Sequence, residues 1–237
     1  MALLRDIARR AIDIFSSLGL QSCLIGGVAC TLYGVQRVPN DVDLVVLTST
    51  YSQETLKQML CTRDPKFFTV ASKKVFASYR VLWYGFPMRQ CKVDILLPGI
   101  MNIPRPPTDK IEHISGFPLM PLLPLLMLKV QAWEDHRNHY ERYMQDKQYT
   151  DSSDIRLLLR IARREGSIRY GDPVNRWIPS SLVEETKRRV ELWVDELGSY
   201  ETDDWTAIGF KPPARSQKFT TDDRLSDLMR SMRIRNF

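Results

Sequence analysis

Residues 23–47 read CLIGGVACTLYGVQRVPNDVDLVVL. Two apolar runs, Cys23-Leu24-Ile25 and residues 42–47, bracket a glycine pair, a short helix-like segment and a turn. Both runs have the composition of strands. Asp41 and Asp43 open the second one. Side chains alternate along a strand, so Val42, Leu44 and Val46 share an inward face. The two aspartates then share the other face, with Cα atoms about 6–7 Å apart. Carboxylates that close repel each other unless positive charge lies between them. Mg²⁺ suits that place, because it prefers carboxylate and phosphate oxygens. Upstream, Gly26-Gly27 ends the first run and begins Val28-Ala29-Cys30-Thr31-Leu32-Tyr33, a short helix stopped by Gly34. A strand, a glycine turn and a helix N-terminus make a phosphate site: bare backbone approaches the ligand and unpaired N–H groups point at it. A phosphate turn and a metal-binding acid pair on adjacent strands point to nucleotide chemistry.

The order Gly26-Gly27, thirteen intervening residues, then Asp41-Val42-Asp43-Leu44 resembles the signature of the DNA polymerase β-like nucleotidyltransferase superfamily. That signature is a hydrophobic residue with Gly-Gly or Gly-Ser, a spacer of similar length, then Asp-hydrophobic-Asp/Glu-hydrophobic. Ala29, Gly34, Arg37 and Asn40-Asp41 are similar to the AbiEii-type toxin branch. The resemblance implies an α/β fold: a mixed β-sheet with flanking helices, followed by a helical C-terminal half. It also implies a third carboxylate on a later strand beside the first pair. Asp94, inside the apolar run Cys91-Lys92-Val93-Asp94-Ile95-Leu96-Leu97, matches by type, local sequence and order. A buried acid needs a partner; the other reading of Asp94 is an edge-strand acid facing water beside Lys92.

The chain has 237 residues and 43% apolar content, enough for one large domain or two small ones with a proper core. Its net charge of +6 favours polyanionic partners such as nucleotides or RNA, and equally describes a mildly basic solvated surface. The four cysteines, Cys23, Cys30, Cys61 and Cys91, form no C-x-x-C pair and read as reduced thiols of an intracellular, cytoplasmic protein. Arg5, Arg9 and Arg10 exclude a secretory signal at the start of this sequence. The most apolar run, residues 118–130, is too short for a membrane span and contains three prolines.

In chain order, Leu4, Ile7, Ala8, Ala11, Phe15 and Leu18 recur at helical spacing up to Gly19. Residues 53–61 read as another helix. Residues 75–84 and 89–97 read as a hairpin around Gly85-Phe86-Pro87. Residues 100–121 read as a connecting loop, so the boundary is expected between an α/β domain, 1–117, and a helical domain, 118–237. Residues 122–139 form a long helix with Leu125, Leu128 and Ala132 as its core stripe, and Lys129 one residue off it. A second helix opens at Thr150-Asp151-Ser152-Ser153-Asp154-Ile155 and runs to about Arg164. Ser181-Leu182-Val183-Glu184 reads as a capping box for a helix ended by Gly198. Beyond it, from about residue 199, a polar tail holds a short amphipathic helix over 221–232; core, partner-binding element and disorder all remain open for this tail.

The AbiEii-type branch carries a Leu-Lys motif on one helix and Lys-Asp-x-x-Asp-Leu on a later one. Leu128-Lys129 and Asp151-Ser152-Ser153-Asp154-Ile155 resemble these. Thr150 departs from the pattern, which has a basic residue there; Lys147 lies nearby. The resemblance thus implies Mg²⁺ or Mn²⁺ on Asp41, Asp43 and Asp94, and nucleoside triphosphate at Gly26, Gly27, Arg37 and Lys129. Lys129 would neutralise transition-state charge, and Asp151 would position it or the nucleophile. The plain alternatives are a snorkelling lysine and first-turn acids favoured by the helix dipole. The acceptor implied is RNA, foremost a tRNA 3′ end, with toxin-like behaviour; small-molecule hydroxyls, protein hydroxyls and a catalytically silent binding module are the alternatives. A protein partner on the tail is a further one. His136 and His139 lack a completing ligand set and read as exposed helix histidines. Lys187-Arg188-Arg189 reads as a salt-bridged solvated face. Tyr79, Trp83 and Tyr84 could stack a base, though strand aromatics are usually core.

Overall fold

A computed structural model describes residues 1–73, 76–165 and 168–212. The chain begins with helix α1 (Ala2–Ser17), whose buried Leu4, Ile7, Ala8, Ala11, Ile12 and Phe15 form the stripe that the spacing demands. Strand β1 (Ser22–Ile25), helix α2 (Gly26–Tyr33) and strand β2 (Asp41–Val46) follow. Gly34 caps α2 in the left-handed region, at φ 118°. Helix α3 (Gln53–Arg63) leads to β3 (Phe67–Ala71), β4 (Arg80–Phe86) and β5 (Arg89–Leu96). The hairpin arm is shorter than its sequence suggests: β4 starts at Arg80, and residues 74–75 lie outside the described residues.

The stretch expected to be a connecting loop instead contributes two strands, β6 (Glu112–Ile114) and β7 (Phe117–Leu119). Three-residue strands are too short to leave a periodic signal. Residue 117, the expected end of the α/β domain, begins β7. The sheet has seven strands in the order β3-β4-β5-β2-β1-β7-β6, with β1 and β2 antiparallel and β2 and β5 parallel. This mixed sheet with flanking helices is the fold class that the sequence implied.

Both faces of the sheet are covered at its centre, where Val45 is as buried as Val42, Leu44 and Val46. Helix α1 packs on β1 and β2, α3 on β3 and β5, and α2 joins the sheet to the helical half. Helix α4 (Leu122–Arg137) lies between the sheet half and the helices that follow. It is buried almost all round, with Leu125, Leu126, Lys129, Val130 and Trp133 inside, whereas Leu128 and Ala132 are only half-buried. A helix covered on all sides has no single stripe, so the expected one was misplaced.

After the short helix α5 (Arg142–Gln145), α6 (Lys147–Glu165) packs along α4 through Ile155, Leu158, Leu159 and Ala162. It starts three residues before Thr150, which places Asp151 and Asp154 inside the helix rather than at its mouth. Helix α7 (Ser180–Leu197) starts after Pro179 with no side-chain cap, so Ser181 forms no capping box. Its Trp193 meets Trp133 of α4 edge-on at 5.0 Å. Helix α8 (Thr202–Ala207) brings Trp205, with Ile208 and Phe210 after it, back into this core. The helix expected over 221–232 lies outside the described residues. Among the described residues, no helix is long and apolar enough to cross a membrane.

Candidate functional site

The site starts from a register. In the parallel pair β2–β5, Asp43 stands opposite Asp94 and Asp41 opposite Lys92. Residues opposite each other in a ladder share a face, so all three acids emerge on one side. Their carboxylate oxygens lie within 4.8 Å of one another. Strand β5 is interior, flanked by β4 and β2, so Asp94 is not an edge-strand acid. Withdrawal from water, then the charges of Asp41 and Asp94, push the Asp43 carboxyl up to about 8, against the pull of Lys129 and Lys92. Lys92 Nζ contacts Asp94 Oδ2 at 2.6 Å.

A divalent cation fits this donor set. All donors are carboxylate oxygens, the type Mg²⁺ selects. One oxygen from each acid lies within 4.8 Å of the others, and burial beside two further carboxylates is what raises Asp43, so added positive charge would relieve the cluster. Among the described residues this is the one such group of His, Cys, Asp and Glu side chains.

Gly26 explains itself at this point. Ile25 pairs with Asp43, so the next residue passes directly beside that carboxylate. A Cβ on Gly26 would lie 1.9 Å from Asp43 Oδ2, and its φ is +62°. Gly27 has its own neighbours: a Cβ there would meet Arg37 Nη2 and Pro39 Cβ at 2.9 Å. The glycine pair thus lets the N-terminus of α2 approach the acids as bare backbone.

Behind the turn runs a chain of charges. Arg37 donates from Nε and Nη2 to Asp154 Oδ1 and Oδ2 at 2.6 and 2.7 Å. Lys129 Nζ reaches Asp154 Oδ2 at 3.0 Å and Asp151 Oδ1 at 3.1 Å. His136 Nδ1 lies 2.6 Å from Asp151 Oδ2. Asp154 is fully buried. Burial opposes the Lys129 ammonium, but Asp151 and Asp154 outweigh it and hold its pKa above the ordinary lysine value. Burial likewise opposes the Asp151 carboxylate, and His136 and Lys129 hold its pKa low. The bond to Asp154 raises Arg37 further.

The sequence-derived residues therefore fall into two adjoining groups. Asp41, Asp43, Asp94 and Gly26 form the acidic floor. Arg37, Lys129 and Asp151 form the charge chain, which also holds Asp154 and His136. Sequence reasoning gave Asp154 no role beyond the helix dipole, and set His136 aside as an exposed histidine; it is half-buried on an acid. Its spacing of fifteen residues from Asp151 crosses two helices and leaves no local signal. Arg188 and Arg189 both clamp Glu134 of α4, so this basic run joins two helices instead of forming a wholly solvated face. Burial pushes the Cys23 and Cys30 thiols up to about 12, which makes them inert packing groups.

No protein-family model matches the chain, and neither does the sequence of any curated protein. Among solved structures, the chain is similar to an antigenic nucleotidyltransferase-like protein from Paracoccidioides brasiliensis. The TM-score is 0.51 at 17% sequence identity, over 90% of this chain and 93% of that one. The likeness spans both the sheet and the helical half, and the fold of this protein is nucleotidyltransferase-like.

Proposed function

We propose that the protein is a metal-dependent nucleotidyltransferase that moves a nucleoside monophosphate from a nucleoside triphosphate to an acceptor hydroxyl, the acceptor being the 3′ end of an RNA. One observation carries this reading: three carboxylates from two strands, with oxygens within 4.8 Å, beside a glycine turn at a helix N-terminus. Asp41, Asp43 and Asp94 would hold the cation. When bound, it would supply positive charge to offset that of the phosphates and would lower the acceptor hydroxyl's pKa. Backbone N–H groups at Gly26 and Gly27 receive the triphosphate. Lys129 spends two donors on Asp151 and Asp154, which fixes the ammonium and leaves its third N–H for the site. Arg37 holds Asp154, so its role is to position Lys129 as much as to meet phosphate. Asp94 takes the proton of the acceptor hydroxyl. The hydroxyl oxygen then bonds to the α-phosphorus, the bond to the β-phosphate bridge breaks, and pyrophosphate leaves in line. The AbiEii-type resemblance supports the RNA acceptor, since Lys129, Asp151 and Asp154, which carry it, meet in one network.

A second reading, a nucleotide-binding module without turnover, is favoured by the contact of Lys92 with Asp94, which already gives that acid a cation. One experiment separates the two. The protein is incubated with each labelled nucleoside triphosphate, Mg²⁺ or Mn²⁺, and total RNA or cell extract. Label on RNA supports the first reading. Label on a protein or small molecule moves the acceptor, and no label with no pyrophosphate released favours the second.

A further inference from the structure

Three strands carry the acidic face sideways. The register runs from Asp41 to Lys92, Trp83 and Phe68, one residue each on β2, β5, β4 and β3. A row of paired residues points to one side of a sheet, so Trp83 and Phe68 share the face of the acids. Leu82 and Tyr84 point to the other side and are buried there. Neighbouring strands lie about 4.8 Å apart, which puts Trp83 about 10 Å from Asp41, within reach of a terminal nucleotide.

This aromatic pair is not sealed into a core. Both rings are half-buried, whereas Leu82, Tyr84 and Val93 on the opposite face are buried. Gly85 takes the next place on the same face; a Cβ there would lie 3.2 Å from Phe68 Cε1. Its absence lets the Phe68 ring lie against backbone and keeps the surface flat. Charge agrees. Between Asp64 and Asp94 the sequence has no acidic residue. Lys66, two residues before Phe68, is exposed, and Lys92 stands in the row between Asp41 and Trp83. Arg80 and Arg89 alternate to the other side with Leu82 and Cys91. Basic surface around aromatic faces is the chemistry that binds single-stranded nucleic acid.

Building on the nucleotidyltransferase reading above, we propose that the β3–β4–β5 wing docks a single-stranded RNA acceptor, with its 3′-terminal base stacked on Trp83 beside Phe68. Lys66 meets the backbone phosphates. The acceptor then enters from the Asp94 side of the acids and leaves the Gly26-Gly27 side to the triphosphate.

The test is fluorescence anisotropy with a labelled single-stranded oligoribonucleotide bearing a free 3′ hydroxyl, without nucleoside triphosphate, and triphosphate binding measured separately. Trp83→Ala should weaken oligonucleotide binding about tenfold or more, the usual loss for a base-stacking aromatic. Trp83→Phe should recover most of it, and triphosphate affinity should not change. Lys66→Glu, at an exposed side chain, should weaken binding and flatten its salt dependence. Wild-type oligonucleotide affinity in Trp83→Ala and Lys66→Glu overturns the proposal. So does failure of the wild-type protein to bind the oligonucleotide at all, the outcome expected if a protein partner covers the wing. Should Trp83→Ala lose both ligands, Lys66→Glu decides alone. The binding assay needs no turnover, so a protein that transfers nothing still tests the wing, and a transferase indifferent to Trp83 rejects the wing alone.

Discussion

Asp43 and Asp94 face each other in register across the parallel pair β2–β5, fifty-one residues apart in the chain. Their pairing sets the acidic floor, because a shift of one residue in either strand would turn one of them to the opposite side of the sheet.

Asp43→Asn removes the acid most crowded by its neighbours. Nucleotide transfer should be abolished, and the thermal shift on adding Mn²⁺ should vanish. The metal-free variant should be at least as stable as wild type, because the substitution relieves repulsion from Asp41 and Asp94. Undiminished turnover would remove Asp43 from the mechanism.

The raised Asp43 carboxyl makes metal binding depend on pH. Below about 8 it carries a proton, which a divalent cation must displace. Apparent Mn²⁺ affinity should rise about tenfold per pH unit as pH climbs toward 8, then level off. Stability of the metal-free protein should move the other way. Between its ordinary value near 3.8 and about 8, the folded state binds more protons than the unfolded state. Stability therefore falls as pH rises through that window. Calorimetric titration and thermal melts at pH 6 and pH 8 check both signs.

Asp154 sits fully buried between Arg37 and Lys129. Asp154→Asn would leave two cations with one fewer countercharge, a loss of about 3–5 kcal/mol for a broken buried pair. Glu184→Gln breaks the exposed contact with Lys187 and should cost no more than about 0.5 kcal/mol. Urea unfolding of both variants measures the contrast. Equal effects would mean that water reaches the Asp154 network.

Gly26→Ala should cost activity far beyond its cost in stability. Its Cβ would collide with Asp43 Oδ2, so the carboxylate must move. Gly99→Ala is the control: its φ is +85° but nothing lies within 4 Å. It should lose about 1–2 kcal/mol from the backbone alone and keep full turnover. Paired assays of melting and transfer separate the two.

Much of this molecule is written locally. The period of α1, the glycine turn, the Gly34 cap and the alternation that puts Asp41 and Asp43 on one face are short-range consequences of neighbouring residues. Those features pointed to an α/β sheet and to the first acid pair. Strands β6 and β7 were missed because three residues are too few to show a period. The core stripe of α4 was misplaced because a helix buried on all sides has none.

The rest depends on contacts that local sequence does not encode. Asp94 could be proposed from its strand, but only the β2–β5 register puts it opposite Asp43. Asp154 and His136 look like ordinary helix residues until α4 and α6 pack together and enclose Lys129. Trp83 and Tyr84 are adjacent in sequence, and the pleat sends one toward the acids and the other into the core. Residue type and spacing fixed which chemistry was available; strand register and helix packing decided which side chains meet, because those depend on residues far apart in the chain.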